Sequence, residues 1–238
     1  YNFWLKMLIS KEKKVLVIAA HPDDEILGCG GTLSKLNKSG YKVNVIFMSD
    51  GVSSRNFINS QSLKKQIINR QNSALLANKI IGSKIIKFFD YPDNQFDKIP
   101  LLKIVKELER IIFKIKPNII FTHSNSDLNI DHEIISRAVV TACRPYTNFF
   151  LRTLLSFEIP SSTDFNFFNK ENKFKPNFFV DISKTLKFKI NALKKYSSEI
   201  RKYPHPLSLN HIKNLSKVRG SNIGVDSAEA FELLIHRR

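Results

Sequence analysis

The chain is poor in cysteine, has no long apolar run, and carries few acids for its many bases. Two cysteines in 238 residues, Cys29 and Cys143, make no disulfide framework; the default for each is a core thiol, and a cytoplasmic location is expected. No apolar run approaches the roughly 18–20 residues that span a bilayer. Residues 1–10 are aromatic and apolar but lack the order of a secretion signal. Helix-turn-helix, RNP and zinc-finger spacings are missing, which argues against specific nucleic-acid binding. Internal repeats, low-complexity tracts and a dividing linker are missing too. Gly28, Gly30 and Gly31 do not form G-x-G-x-x-G, so close helix-to-sheet packing is expected of them rather than a dinucleotide site.

Acid is scarce: 21 Asp+Glu stand against 38 Lys+Arg, a net charge of +17. Such a balance reflects either a generally Lys-rich composition or an anionic partner. With nucleic acid disfavoured, the partner expected is a phosphate-bearing or lipid-linked small molecule; peripheral membrane contact and oligomeric state stay open.

What is present is a regular alternation. Strands are expected at 14–20, 42–49, 85–90 and 118–123, and helices at 25–39, 62–81, 99–115 and 132–143. Gly40 and Gly82 fall where helices end, and Pro117 opens the fourth strand. The βαβα order predicts an α/β fold, a three-layer, Rossmann-like and mostly parallel sheet with helices on both faces. Further strands are expected at 152–158 and 178–182, a helix at 184–199 and a short last helix at 228–236. A 1–12 extension precedes a single domain over 13–238. The Phe-rich stretch 149–179 has no clear period and reads as a surface loop or an aromatic wall over a substrate.

Two polar clusters interrupt this pattern. The first, His21-Pro22-Asp23-Asp24-Glu25, follows the first strand. Three carboxylates so close repel one another unless a cation or a shared proton relieves them. The second, His123 to His132, includes Asp127, Asn129 and Asp131 and follows the fourth strand. Its D-x-N-x-D run lacks the glycine and terminal glutamate of a calcium loop. Both clusters fall at strand C-terminal ends, where open α/β sheets hold ligands. Two imidazoles and one carboxylate make a hydrolytic zinc site with an open position. His21, Asp24 and His132 supply that set, and Asp23 is left to take a proton from water. Ferrous iron also suits these donors.

The Ala-His-Pro-Asp-Asp-Glu strand end, followed by Asp-x-Asn-x-Asp-His, resembles the PIG-L/LmbE family of zinc-dependent de-N-acetylases, which act on N-acetylglucosamine-type conjugates. The resemblance covers about residues 13–231. It implies His21, Asp24 and His132 as metal ligands, Asp23 as general base and Asp131 as a tuning residue beside the ligand histidine. Asn129 stands where some members carry a histidine that steadies the transition state. Arg70 and Asp93 match substrate-contacting positions. Tyr203-Pro204-His205-Pro206-Leu207-Ser208 is similar to a Pro-His-Pro-Arg-Ser motif of bacterial members, with Leu207 in place of arginine; His205 would then donate a proton or hold the oxyanion. Arg219-Gly220-Ser221 and 228–231, with Glu229, match the same subgroup. The expected reaction is acetyl removal from an amino sugar. The alternatives are an amidase for another amide, such as a thiol-sugar conjugate, and a basic nucleic-acid or membrane-binding module.

Overall fold

The computed structural model describes residues 13–55, 59–146, 148, 150–167 and 173–237. The 1–12 extension, and positions 149 and 168–172 of the Phe-rich stretch, lie outside the described residues.

The apolar runs form the middle of a seven-stranded sheet. Strands β1 (Lys14–Ala19), β2 (Lys42–Ser49), β3 (Lys84–Tyr91), β4 (Ile119–His123) and β5 (Thr153–Phe157) are joined with β6 (Phe178–Asp181) and β7 (Ala228–His236) in the order β3-β2-β1-β4-β5-β7-β6. The first five run parallel, and β7 is antiparallel to both β5 and β6. Helices α1 (Asp24–Lys38), α2 (Ser60–Ile81), α3 (Leu101–Ile115), α4 (Ile130–Ala142), α5 (Leu186–Leu193) and α6 (Leu209–Ser221) cover it. This is the α/β architecture expected from the sequence.

Strand β1 shows why its run does not alternate. Val15, Val17 and Ala19 join α1, α2 and α5 in one core; Leu16 and Ile18 join α3 and α4 in the other. From Val15 on, both faces of the strand are buried, so each of those positions is apolar. Each fully buried Val, Leu or Ile contributes about 1.5–3 kcal/mol. Two glycines let α1 lie close to its neighbours. A Cβ on Gly28 would strike the Phe157 ring, and one on Gly31 would meet Ile182 at 2.8 Å. Gly82 ends α2 with φ 85°, a left-handed cap that favours glycine.

Three differences from the sequence reading lie in the C-terminal third. Residues Ala228–His236 form strand β7, not a helix. Its apolar run suits either state locally, and pairing between β5 and β6 decides it. The helix expected over 184–199 stops at Leu193; short turns then carry the chain through Tyr196 to Glu199. Helix α6 was not expected; Ser208 caps it, accepting from the His211 N–H at 3.1 Å.

The strand order reverses between β1 and β4. Their C-terminal ends open the crevice in which doubly wound sheets place ligands. Both polar clusters sit there.

Candidate metal centre and active site

Between β1 and α1 the backbone turns through His21, Pro22 and Asp23. Asp23 has φ 130°, a conformation costing a non-glycine residue about 1–3 kcal/mol. The turn folds Asp24 back, and its Oδ2 accepts from the His21 N–H at 2.7 Å. Between β4 and α4 the path is ordinary. Asp127 accepts from the Asn129 N–H at 2.9 Å, and Asn129 caps α4, accepting from the Asp131 N–H at 2.9 Å.

Three donor atoms meet at the crevice floor. His21 Nδ1 lies 3.1 Å from His132 Nε2, and each lies 3.4 Å from Asp24 Oδ2. The outer nitrogens face carboxylates. His21 Nε2 is 3.0 Å from Asp131 Oδ2 and 3.1 Å from Asp93 Oδ1; His132 Nδ1 is 3.1 Å from Asp127 Oδ2. Those carboxylates accept hydrogen bonds from the outer ring N–H groups, so in the neutral rings the inner nitrogens carry bare lone pairs. Two lone pairs 3.1 Å apart repel unless a cation sits between them. A carboxylate oxygen completing the triangle is more than a shared proton requires. Ligands of a tetrahedral zinc, at about 2.0–2.1 Å from the ion, lie about 3.3–3.4 Å from one another. The triangle matches that size, so these residues fit a metal ion.

The surrounding carboxylates are themselves held. Asp131 accepts from the Asn94 and Phe96 N–H groups at 2.7 and 3.1 Å, Asp93 from the Ser54 hydroxyl at 2.5 Å, and Asp127 from the Ser162 and Thr163 hydroxyls at 3.0 and 2.8 Å. His123, at the end of β4, is fully buried and stays out of the cavity. Its ring stacks on His132 at 3.9 Å, and its Nε2 accepts from the Ala20 N–H. Burial and the neighbouring His132 hold its pKa well below the usual imidazole range.

Adjacent carboxylates are driven in opposite directions. Burial pushes Asp23 up to about 8, against the pull of Arg70. Burial also works against charge on Asp24, but His132, His123 and His21 hold it well below its ordinary value. Burial disfavours charge on His132 as well, yet Asp24 and Asp127 lift it to about 9.

A cavity of about 260 Å³ opens above the triangle. His21, Asp23, Asp24 and His132 line it, as do the expected substrate-binding residues Arg70, Asp93 and Asn129. Arg70 Nη2 holds the Asp23 carboxylate at 3.0 Å, and Arg70 also pairs with Glu199, which pairs with Arg55 at 2.8 Å. Asp131 lies under the floor, fully buried. The Phe-rich stretch does wall the cavity, but through Ile159, Ser161 and Ser162; Phe165 and Phe167 are exposed. His205 is placed elsewhere. It is exposed, outside the lining, and its Nδ1 accepts from the Leu207 N–H at 3.0 Å, so the turn ties the ring to its own backbone. Leu207 lines the cavity in its place.

Sequence reasoning did not anticipate Glu199, Ser54 or Arg55 as lining residues, and it left Glu25 without a chemical role, to serve the helix start or to support a ligand. Glu25 alone had a local signal, its place in the first cluster. Its Oε2 accepts from the Asp23 N–H at 3.0 Å, and its Oε1 accepts from Asn78 Nδ2 and the Tyr196 hydroxyl at 2.8 and 2.7 Å. Glu229, buried, accepts from the Gly31 and Thr32 N–H groups and from Lys189, which braces α1 from behind.

The chain is 28% identical over 195 residues to the uncharacterized deacetylase YaiS of Escherichia coli, covering 79% of this chain and 93% of that protein. It is 28% identical over 230 residues to the diacetylchitobiose deacetylase of Thermococcus kodakarensis, covering 93% and 83%. The N,N'-diacetylchitobiose deacetylase of Pyrococcus horikoshii, solved with its inhibitor, superposes with a TM-score of 0.73 at 22% identity, over 98% of this chain and 88% of that one. A 4-carboxy-2-hydroxymuconate hydratase from Pseudomonas putida superposes equally well, 0.73 at 20% identity over 95% and 98%, so likeness at this level shows the fold alone. The model of the PIG-L family, GlcNAc-PI de-N-acetylase, matches residues 16–143, more than half the chain and both polar clusters, and the chain belongs to that family.

Proposed function

We propose that this chain is a zinc-dependent N-deacetylase that hydrolyses the acetamido group of an N-acetylglucosamine-type conjugate. The observation that carries the proposal is the triangle of His21 Nδ1, Asp24 Oδ2 and His132 Nε2, open to a cavity on the side where Asp23 stands. Zinc held by these three residues would lower the pKa of a water towards about 7 and polarise the acetyl carbonyl.

The chain's own groups do the rest. Asp23, adjacent to the ligand Asp24 and facing the cavity, takes the proton of the attacking water and returns it to the leaving nitrogen. Acetate and a free amine result, with one water consumed. Arg70 orients the Asp23 carboxylate from the far side. Asp93 and Asn129, which also line the cavity, offer a carboxylate and an amide to sugar hydroxyls. A cavity of about 260 Å³ suits one sugar ring and its acetyl group, and its openness leaves room for a carrier outside. With the net charge of +17, that carrier is expected to be anionic, nucleotide- or lipid-linked. Among the described residues, no helix is long and apolar enough to cross a membrane.

The test is acetate release by metal-defined protein from a panel of N-acetyl sugars, nucleotide sugars and lipid-linked sugars. Activity lost to a chelator and restored by zinc is the expected result; restoration by ferrous iron alone would reassign the metal. Chelator-insensitive release, or none from any acetamido sugar, overturns the reading.

A further inference from the structure

Glu25 has no part in the chemistry just described, although it is buried one residue from a metal ligand. It does not line the cavity and is not part of the His21, Asp24 and His132 triangle. Its carboxylate nevertheless collects three donors from three parts of the fold: the Asp23 backbone at the head of α1, Asn78 on α2, and Tyr196 beyond the end of α5. Each partner is fixed in turn. The Ser83 hydroxyl donates to Asn78 Oδ1 at 2.6 Å, and Asn78 Nδ2 also donates to the Ala74 carbonyl at 2.9 Å, so the amide presents its nitrogen to Glu25. The Tyr196 ring is completely buried, and the Arg70 guanidinium lies 5.5 Å from its centre.

We infer that Glu25, braced by Asn78 and Tyr196, is a positioning residue that holds Asp23 in its proton-transfer geometry. The inference rests on the proposed role of Asp23 as base. Asp23 sits at φ 130°, which a residue with a side chain does not keep unaided. Its N–H lies at the start of α1, where no intrahelical acceptor exists, and Glu25 Oε2 supplies one. Arg70 grips the carboxylate of the same residue at 3.0 Å. Tyr196 touches both grips, through its hydroxyl to Glu25 and its ring face to Arg70. Backbone and side chain of the base are thus fixed by one connected set of buried groups, none of which needs to touch substrate except Arg70.

A merely structural Glu25 would leave turnover intact in any variant that folds. The experiment compares Tyr196→Phe and Glu25→Gln, each alone and combined with Asp23→Asn. Tyr196→Phe keeps the ring and removes one donor; Glu25→Gln keeps the shape but offers one acceptor oxygen where three donors converge. The expected result is a fall in kcat of about tenfold to a hundredfold, with KM and bound zinc unchanged. In the Asp23→Asn background neither change should lower turnover further, because residues that act as a unit are not additive. Single variants that keep kcat within twofold, losses that multiply with that of Asp23→Asn, or a loss confined to KM or zinc content overturn it. A crystal structure of Glu25→Gln supplies a readout without substrate. The Asp23 carboxylate should leave Arg70; an Asp23 unmoved in φ and still paired overturns the inference. If the wild-type protein releases no acetate, the deacetylase reading fails, and this structural arm still decides whether Glu25 positions Asp23.

Discussion

The two strand ends that meet at the crevice deliver their ligands at different cost. The β4 end is conventional: Asp127 and Asn129 close successive turns onto backbone N–H groups, α4 starts cleanly, and His132 arrives in its first turn. The β1 end is not: Asp23 is strained at φ 130°, and buried Glu25, Asn78, Tyr196 and Arg70 brace it. On the proposed assignment both ends present a metal ligand, but only the β1 end also presents the base. A ligand histidine can ride on a regular helix, whereas two adjacent aspartates with different tasks must point different ways. The strain is the means of separating them.

The largest break in this comparison comes from the ligands themselves. His132→Ala and Asp24→Ala should each lose bound metal and all measurable acetate release, as read by metal analysis of the purified protein. Asp23→Asn should act differently at the same corner. Metal is retained, while turnover falls by about 10²–10⁴, the usual contribution of a general base. A variant of Asp23 that keeps near-wild-type rates would move the base elsewhere.

The carboxylates behind the histidines come next. Asp127 orients His132 alone, whereas Asp131 and Asp93 share His21. Asp127→Asn and Asp131→Asn should each weaken metal affinity by about 10–100-fold, measured by competition with a chromophoric chelator. Because Asp93 remains beside His21, Asp131→Asn should be the milder of the two. Equal losses would show that the Asp93 contact does not support the ring.

How much of this was legible in the chain follows from how local each signal is. Strands β1, β2 and β4 are largely buried on both faces, so the apolar stretches at 15–19, 45–48 and 119–121 are visible in any short window. His21 and Asp24 lie just past the end of β1 and inherit that visibility; His132, further from the end of β4, shows through its own Asp-x-Asn-x-Asp-His run. The 228–236 run carries no such mark, because its state is set by partners far away in the chain, Phe178–Asp181 and Thr153–Phe157. Tyr196 and Glu199 reach the β1 corner across more than 120 residues of chain, to Glu25 and to Arg70 respectively. No spacing rule connects them. The Pro-His-Pro turn shows the converse: a local pattern read clearly, with the His205 ring turned to its own backbone and Leu207 left facing the cavity.

The smallest effects sharpen the comparison most, because the two corners should respond with opposite signs. Asn129 is an ordinary N-cap, accepting from the Asp131 N–H at 2.9 Å. Asn129→Ala should cost about 1 kcal/mol, or about 2–4 °C in Tm for a chain of this size. At Asp23 the strain is relieved by glycine, which adopts positive φ without steric penalty. Asp23→Gly also takes one acid out of a buried group with Asp24, Glu25 and Glu199, and Arg70 keeps Glu199 as its partner. Against these gains stands the greater freedom of glycine in the unfolded chain, about 0.5–1 kcal/mol. The expected outcome is a Tm unchanged or raised, alongside lost turnover. Thermal unfolding of the two variants side by side decides it. A fall of more than about 3 °C for Asp23→Gly would mean that the β1 corner is stabilised by its aspartate and is as conventional as the β4 corner.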